Sequence, residues 1–288
     1  MNAPTRTSSR PPASPERSAP SLKPSPHSLE RTLRIVLPPL VLAALMIGWQ
    51  VAVTALNVPH YILPSPTRIA EALFTDWGIL FPALLVTLKI TFSALALALI
   101  GGGLLAVLFA EFKWFEAAVY PLAVILQVTP IVAIAPLILV YANSVQQALL
   151  IVAWIVAFFP VLSSTAQGLK SADHNLLSLM QLYRASRMQT LFLLKVPTAL
   201  PFFLTGLRIA GGLSLIAAVV AEFAAGSAGA GAGLAFRLLE SGFRLNIPRL
   251  FAALFLLSLT GLLIFAATST VSWLLLRRWH ESAARRES

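Results

Sequence analysis

The chain has 288 residues, of which 58% are hydrophobic and 11% charged, with a mean hydropathy of +0.82. A soluble domain carries roughly 25% charged residues, so too few charges remain to clothe a water-facing surface. The net charge of +10 comes from basic residues at the ends of apolar runs, not from an Arg–aromatic stripe, which argues against nucleic acid as a partner. With no Cys, and with His27, His60, His174 and His280 scattered, neither disulfides nor a metal site is expected.

Residues 1–32 are rich in Pro, Ser and Arg, as at Arg10-Pro11-Pro12, and read as a disordered cytoplasmic tail. Residues 33–80 hold a first apolar run, about Ile35–Leu56. It is too long for the core of a signal peptide and no small-residue cleavage site follows it, so it reads as an uncleaved span. An outer stretch follows, with Leu63-Pro64-Ser65-Pro66-Thr67 and a short amphipathic segment from Arg68 to Trp77. That segment aligns Ile69, Ala72 and Leu73 on one face and is predicted to lie along the interface.

Residues 81–279 hold five further runs near the length that crosses a hydrocarbon core of about 30 Å. They are about Leu84–Ala110, Ala118–Tyr141, Ala148–Leu162, Phe202–Ala224 and Leu250–Leu276. Residues 280–288 form a second tail. The fold class is therefore an all-α membrane protein, a polytopic bundle of about six helices. Of 21 Lys and Arg, four fall on outer segments (Arg68, Arg237, Arg244, Arg249) and two inside spans (Lys89, Arg208). The rest are inner, which predicts both termini in the cytoplasm.

The connection from Asp173 to Pro201 has the most specific pattern. Asp173 is a fair N-cap. Leu176, Leu177, Leu179, Met180, Leu182 and Tyr183 follow at helical spacing. Arg184-Ala185-Ser186-Arg187 interrupts, a second short helix runs from Met188 to Lys195, and Pro197 is predicted to end it. Such a pair of helices suits a rigid knob that a soluble partner grips. It equally suits a folded connection resting on lipid headgroups, and the pattern alone leaves both open.

Polar groups inside apolar helices are costly and usually face a cavity or a partner. Gln127, Thr129 and Pro130 in the third run, and Glu222 near the outer end of the fifth, are the candidates for lining a path. The alternatives are a structural kink for the first three and a solvated interface for Glu222. Arg208 is expected to pair with a helix end or reach the interface. Gly226, Gly229, Gly231 and Gly233 are not followed by Lys-Ser/Thr nor preceded by a strand, so no nucleotide loop is present there. No catalytic constellation and no cofactor site is legible. An ion-coupled secondary transporter would show mid-span acids or an internal repeat. A membrane enzyme would show His, Asp, Glu, Ser or Lys clustered at one depth. The sequence shows neither pattern.

Arg184 to Pro197, ending in Leu194-Lys195-Val196-Pro197, resembles the cytoplasmic coupling loop of binding-protein-dependent ABC importer permeases. That loop reads Glu-Ala-Ala, three residues, Gly, nine residues, then Ile-x-Leu-Pro. Here Ser178-Leu179-Met180 replaces Glu-Ala-Ala, and Arg184 replaces Gly. Thr129-Pro130-Ile131-Val132-Ala133-Ile134-Ala135-Pro136-Leu137 and the stretch from Gly206-Leu207-Arg208 to Ala221-Glu222-Phe223 resemble the nitrate/sulfonate/taurine branch. Leu182-Tyr183-Arg184-Ala185-Ser186-Arg187 is similar to permeases for pyrimidine-type thiamine precursors. The resemblance spans roughly residues 60–280. It implies a multi-pass permease in a bacterial inner membrane and a path formed with a second copy. It also implies a separate cytoplasmic ATP-binding subunit and an external solute-binding protein. The ATPase-coupling residues would be Leu179, Met180, Leu182, Tyr183, Arg184, Ala185, Ser186, Arg187 and Pro197. The cargo would be a small sulfonate-, nitrate- or pyrimidine-like solute.

Overall fold

Long apolar runs without water must satisfy every backbone group internally, and helices are the way an open chain does so. A computed structural model describes residues 26–226 and 231–277, with side chains from Val36 onward. The described residues are mostly helical, with no strand among them. The tail at 280–288 lies outside them. The tail at 1–32 does so up to residue 25, since the first helix, α1 (Pro26–Ala55), already begins at Pro26.

The chain divides into two compact units, residues 1–51 and 52–288. Most of α1 makes up the described part of the first. Its side chains from Val36 to Ile47 are exposed, and the helix runs through Pro38 and Pro39.

The second unit contains α2 (Pro66–Thr75), α3 (Trp77–Glu111), α4 (Lys113–Val128), α5 (Ile131–Tyr141) and α6 (Val145–Lys170). It continues with α7 (His174–Leu182), α8 (Arg187–Thr190), α9 (Val196–Ala225), α10 (Leu234–Phe243) and α11 (Ile247–Leu276). Its centre is α3, α6 and α9, joined through small residues. Ala94, Ala98, Ala153, Ala157, Ala210 and Ala218 are fully buried there. Lipid tails are as apolar as leucine, so helices associate by close packing rather than by hydrophobic exclusion, and small residues permit it. Gly168 is the tightest such contact. A Cβ built on it would lie 2.7 Å from Phe202 Cβ and 2.9 Å from Ala199 Cα. Gly168→Val is therefore expected to destabilise the α6–α9 contact by roughly 1–3 kcal/mol, read as a lower melting temperature in detergent.

Three predicted elements differ from the structure. The third run is not one span: α4 and α5 meet at a bend of 102°. Pro130 supplies no N–H, and the residue before a proline is pushed out of the α region. Thr129 accordingly sits at φ −66°, ψ 128°. The fourth run does not stop at Leu162 but continues to Lys170. The hydroxyl of Thr165 donates to Val161 O (2.6 Å), so polar residues ride inside the helix instead of ending it.

The third difference is Pro197, which ends nothing. A π-turn at Leu191–Lys195 joins α8 to α9, and the helix runs on from Arg187 to Ala225. Val196 N–H bonds Leu191 O, five residues back, and this wider turn absorbs the donor that proline lacks. The amphipathic segment α2 forms as a helix, and its Ile69, Ala72 and Leu73 pack on the cluster of Leu80, Ala83, Ala252 and Leu256.

Candidate functional site

The loop between α6 and α9 is built from local capping chemistry. The Asp173 carboxylate accepts from Asn175 N (2.7 Å) and Leu176 N (3.4 Å), starting α7 as its sequence predicts. At the other end Arg184 N–H bonds Gln181 O and Ala185 N–H bonds Met180 O, both at 2.9 Å. This paired closure places Arg184 at φ +54°. The position that resembles a family glycine thus keeps a glycine-like backbone with an arginine on it. A non-glycine residue there costs about 1 kcal/mol. Arg184→Gly is expected to recover about that much in thermal stability; no change would mean the loop relaxes the turn at no cost.

Ser186 opens α8 with a reciprocal cap: its Oγ accepts from Gln189 N (3.2 Å), and Gln189 Oε1 accepts from Ser186 N (2.7 Å). The Ser-x-x-Gln spacing is the sequence signal of such a cap.

These caps fix a tip. Leu182 and Tyr183 are 81% and 80% exposed, and Leu179, Met188 and Phe192 are exposed beside them. Met180 and Ala185 are half-buried, Arg187 is exposed, and Pro197 lies inside the helix at the base. The five apolar residues of α7 and its C-cap Tyr183 form no buried face. Leu191 and Leu194 are buried, Leu191 within the cluster of Phe109, Leu162 and Leu169. Lys195 Nζ donates to Glu111 Oε1 at 2.9 Å, and Lys170 pairs with Glu116. The loop is therefore pinned to α3 through its own end and to α4 through the end of α6.

The bend between α4 and α5 opens a cavity of about 360 Å³, lined among others by Gln127, Thr129, Pro130, Ile155, Pro160 and Leu213. Three of the four path candidates meet there. The Gln127 side chain is exposed and has no hydrogen-bond partner among the described residues. The Thr129 hydroxyl is occupied, donating to Ile125 O at 2.7 Å.

Glu222 does not join them. It is 2% exposed and sits where α3, α9 and α10 meet. Its Oε1 accepts from Thr87 Oγ1 (2.7 Å) and its Oε2 from Ala235 N (2.8 Å). Thr87 Oγ1 in turn accepts from Leu234 N (2.8 Å). The carboxylate and the threonine thus cap the N-terminus of α10, a place that favours negative charge. The local sequence offers no such cap, because Gly233 holds the N-cap position. Further along α10, Glu240 accepts from Arg237 (2.8 Å) and pairs with Arg244 (2.8 Å). The Arg237 hydrogen bond holds the Glu240 carboxyl below its usual range. Arg208, on α9, is exposed and has no partner among the described residues. No cluster of metal-ligating side chains exists among the described residues.

Residues 98–280 match the family described as the binding-protein-dependent transport system inner membrane component. The chain belongs to this family. The permease is 34% identical to the formylaminopyrimidine transport permease protein of Halalkalibacterium halodurans, over 86% of its own length and 98% of the relative's. It is 31% identical to a probable ABC transporter permease protein of Haemophilus influenzae, over 85% and 97%. It is 33% identical to the riboflavin transport system permease protein of Chloroflexus aurantiacus, over 85% and 90%. The protein is thus a multi-pass membrane permease of an ABC importer and not an enzyme; ATP hydrolysis resides on a separate subunit. Membership implies an ATPase and a solute-binding protein as partners.

Proposed function

We propose that two copies of the permease enclose the translocation path and that the loop 173–197 seats in the ATP-binding subunit. The carrying observation is the tip itself. Leu182 and Tyr183 are exposed at a helix end that is capped and tied to α3 by the Lys195–Glu111 pair. Exposed apolar side chains on a stiff polar-rimmed loop suit a partner's groove better than solvent. The basic residues around the loop support a cytoplasmic side for it and for both termini, with the solute-binding protein delivering cargo at the opposite face.

The cargo is a small solute. The relatives are named for formylaminopyrimidine, riboflavin, nitrate and bicarbonate, which brackets nitrogen heterocycles and small oxyanions. Gln127, Thr129 and Pro130 line part of the path through the cavity at the helix break. Glu222 acts on the path by holding α10 in place.

The test is the permease reconstituted in liposomes with its ATP-binding subunit and binding protein. Uptake is expected only with ATP. Uptake driven by an ion gradient without the ATPase would overturn the assignment. In the same preparation, Leu182→Glu with Tyr183→Glu is expected to reduce ATPase co-purification at least tenfold while membrane insertion is unchanged. Undiminished co-purification would remove the loop from its role.

A further inference from the structure

Arg208 is a cation without a counter-charge deep in an apolar helix. It stands 13 residues past Lys195 and 18 before Gly226, about 20 Å and 27 Å along the axis. Lys195 marks one polar end of α9, through its pair with Glu111, and Gly226 marks the other. With these two ends at the headgroup layers, Arg208 lies well inside the hydrocarbon, about 20 Å along the axis from Lys195. A cation facing lipid at that depth is strongly disfavoured; such residues face a cavity, water or a partner.

The surface around Arg208 mixes small and polar positions with apolar ones. Thr205, Ile209, Gly212 and Ile216 share its stripe at helical spacing, with Ile209 and Ile216 exposed. Thr205 is exposed, and a Cβ built on Gly212 would meet no atom within 4 Å. The outer face of α11, by contrast, is large and apolar, with Leu254, Phe255, Leu262, Leu263 and Phe265 exposed.

No acid among the described residues pairs with Arg208. Of 11 acidic residues in the sequence, Glu222 is the one placed well inside an apolar run, and it is 14 residues further along α9. Its carboxylate is already engaged by Thr87 and Ala235. The other acids on the second unit's long helices sit at helix ends: Asp76 against Arg249, Glu111 against Lys195 and Glu116 against Lys170. A second copy would bring a second Arg208 and, again, no acid at that depth. The described residues thus leave the guanidinium available to water or to a solute.

We propose that Arg208 is the cargo-selecting cation of the path. The stripe Thr205–Arg208–Gly212 lines an aqueous passage at mid-membrane, and its positive potential favours solutes that present an oxyanion and excludes cations. This rests on the reading that two copies enclose a path. It narrows that reading's cargo to the oxyanion side of its bracket, a solute whose negative group exchanges water for the guanidinium as it crosses. The fork of N–H donors on arginine matches such oxygens.

The chain contains no Cys, which permits a direct measurement. Thr205→Cys and Gly212→Cys are made singly in the complete complex of permease, ATP-binding subunit and binding protein, in lipid nanodiscs. Each is reacted with an anionic (sulfonatoethyl) and a cationic (trimethylammonioethyl) methanethiosulfonate, with rates scaled to a small thiol in solution. Both thiols are expected to react while Leu262→Cys on α11 does not. The scaled rates should favour the anionic reagent about tenfold, within the range by which a charged cleft enriches counter-ions. Arg208→Gln should abolish the preference and Arg208→Lys should keep it.

Thiols at 205 and 212 that are as unreactive as the one at 262 would show a dry stripe and overturn the proposal. Reactive thiols whose preference survives Arg208→Gln would overturn the role of Arg208 alone. ATP-driven uptake by the same complex reports separately on the importer assignment, so failure of one is not mistaken for failure of the other.

Discussion

Glu222→Ala is expected to unseat α10, with a loss of roughly 2–4 kcal/mol, because a buried donor left without its acceptor costs about 1–3 kcal/mol and more than one is affected. Ala235 N–H loses its acceptor outright, and Thr87 Oγ1 loses the carboxylate that orients it toward Leu234 N–H. Glu222→Gln is the milder change, since its amide keeps one acceptor oxygen but turns a donor toward a donor. Gly233→Ala reaches the same site from the other side. Its Cβ would fall 2.1 Å from Glu222 Oε1, so the carboxylate or the start of α10 must move. Gly231→Ala is the control: its Cβ would meet only the end of the Gln146 side chain, at 3.1 Å, which can swing away. Melting temperatures and protease susceptibility within residues 227–243 are the measurements. Equal behaviour of Gly233→Ala and Gly231→Ala would dismiss the cap.

A second large effect is expected at the corner where α2 meets α3. Arg249, in the first turn of α11, grips Asp76 with two parallel bonds, Nε to Oδ2 at 2.7 Å and Nη2 to Oδ1 at 2.6 Å. The two side chains are 18% and 15% exposed. Breaking a buried pair from one side leaves a stranded charge and costs up to 3–5 kcal/mol, whereas replacing both partners with apolar groups is often near neutral. With this partial exposure, Arg249→Met or Asp76→Leu alone should cost about 2 kcal/mol, and the double variant less than either. Additive losses in such a cycle would mean that the pair is a surface ornament and that packing of α2 against α11 sets the corner.

How much of this was legible depended on the range of the interaction. Hydrophobic runs announced the helices long enough to cross a membrane, within the limits of one bend, because burial in lipid acts on each segment alone. Asp173 was legible as a cap for the same reason: its partners are two and three residues away. Glu222 was not, because Thr87 stands 135 residues off and no spacing announces it.

Prolines show a subtler limit. Pro130 and Pro197 both lack a donor, yet the chain turns by 102° at the first and runs on at the second. The difference lies in their surroundings. Ahead of Pro197, Leu191 and Leu194 are both buried, and the helix keeps that burial by widening one turn. Ahead of Pro130, Leu126 and Val128 are exposed and hold nothing in register. Arg184 illustrates a third case. The departure from glycine was visible in the sequence, but not that the backbone would keep the left-handed turn regardless.

The continuity of the helix through Pro197 has a mechanical meaning. From Arg187 to Ala225 it is one rod of 39 residues, about 58 Å long. Its first residues form the second half of the capped tip, and its last turn carries the Glu222 carboxylate. The only irregularity between them is the π-turn, five residues from Leu191 to Lys195, fastened to α3 by Lys195. That turn divides the rod into a short arm on the loop side and a long arm reaching α10. Were the tip to tilt about it, the far end would move further than the tip, in the ratio of the two arms.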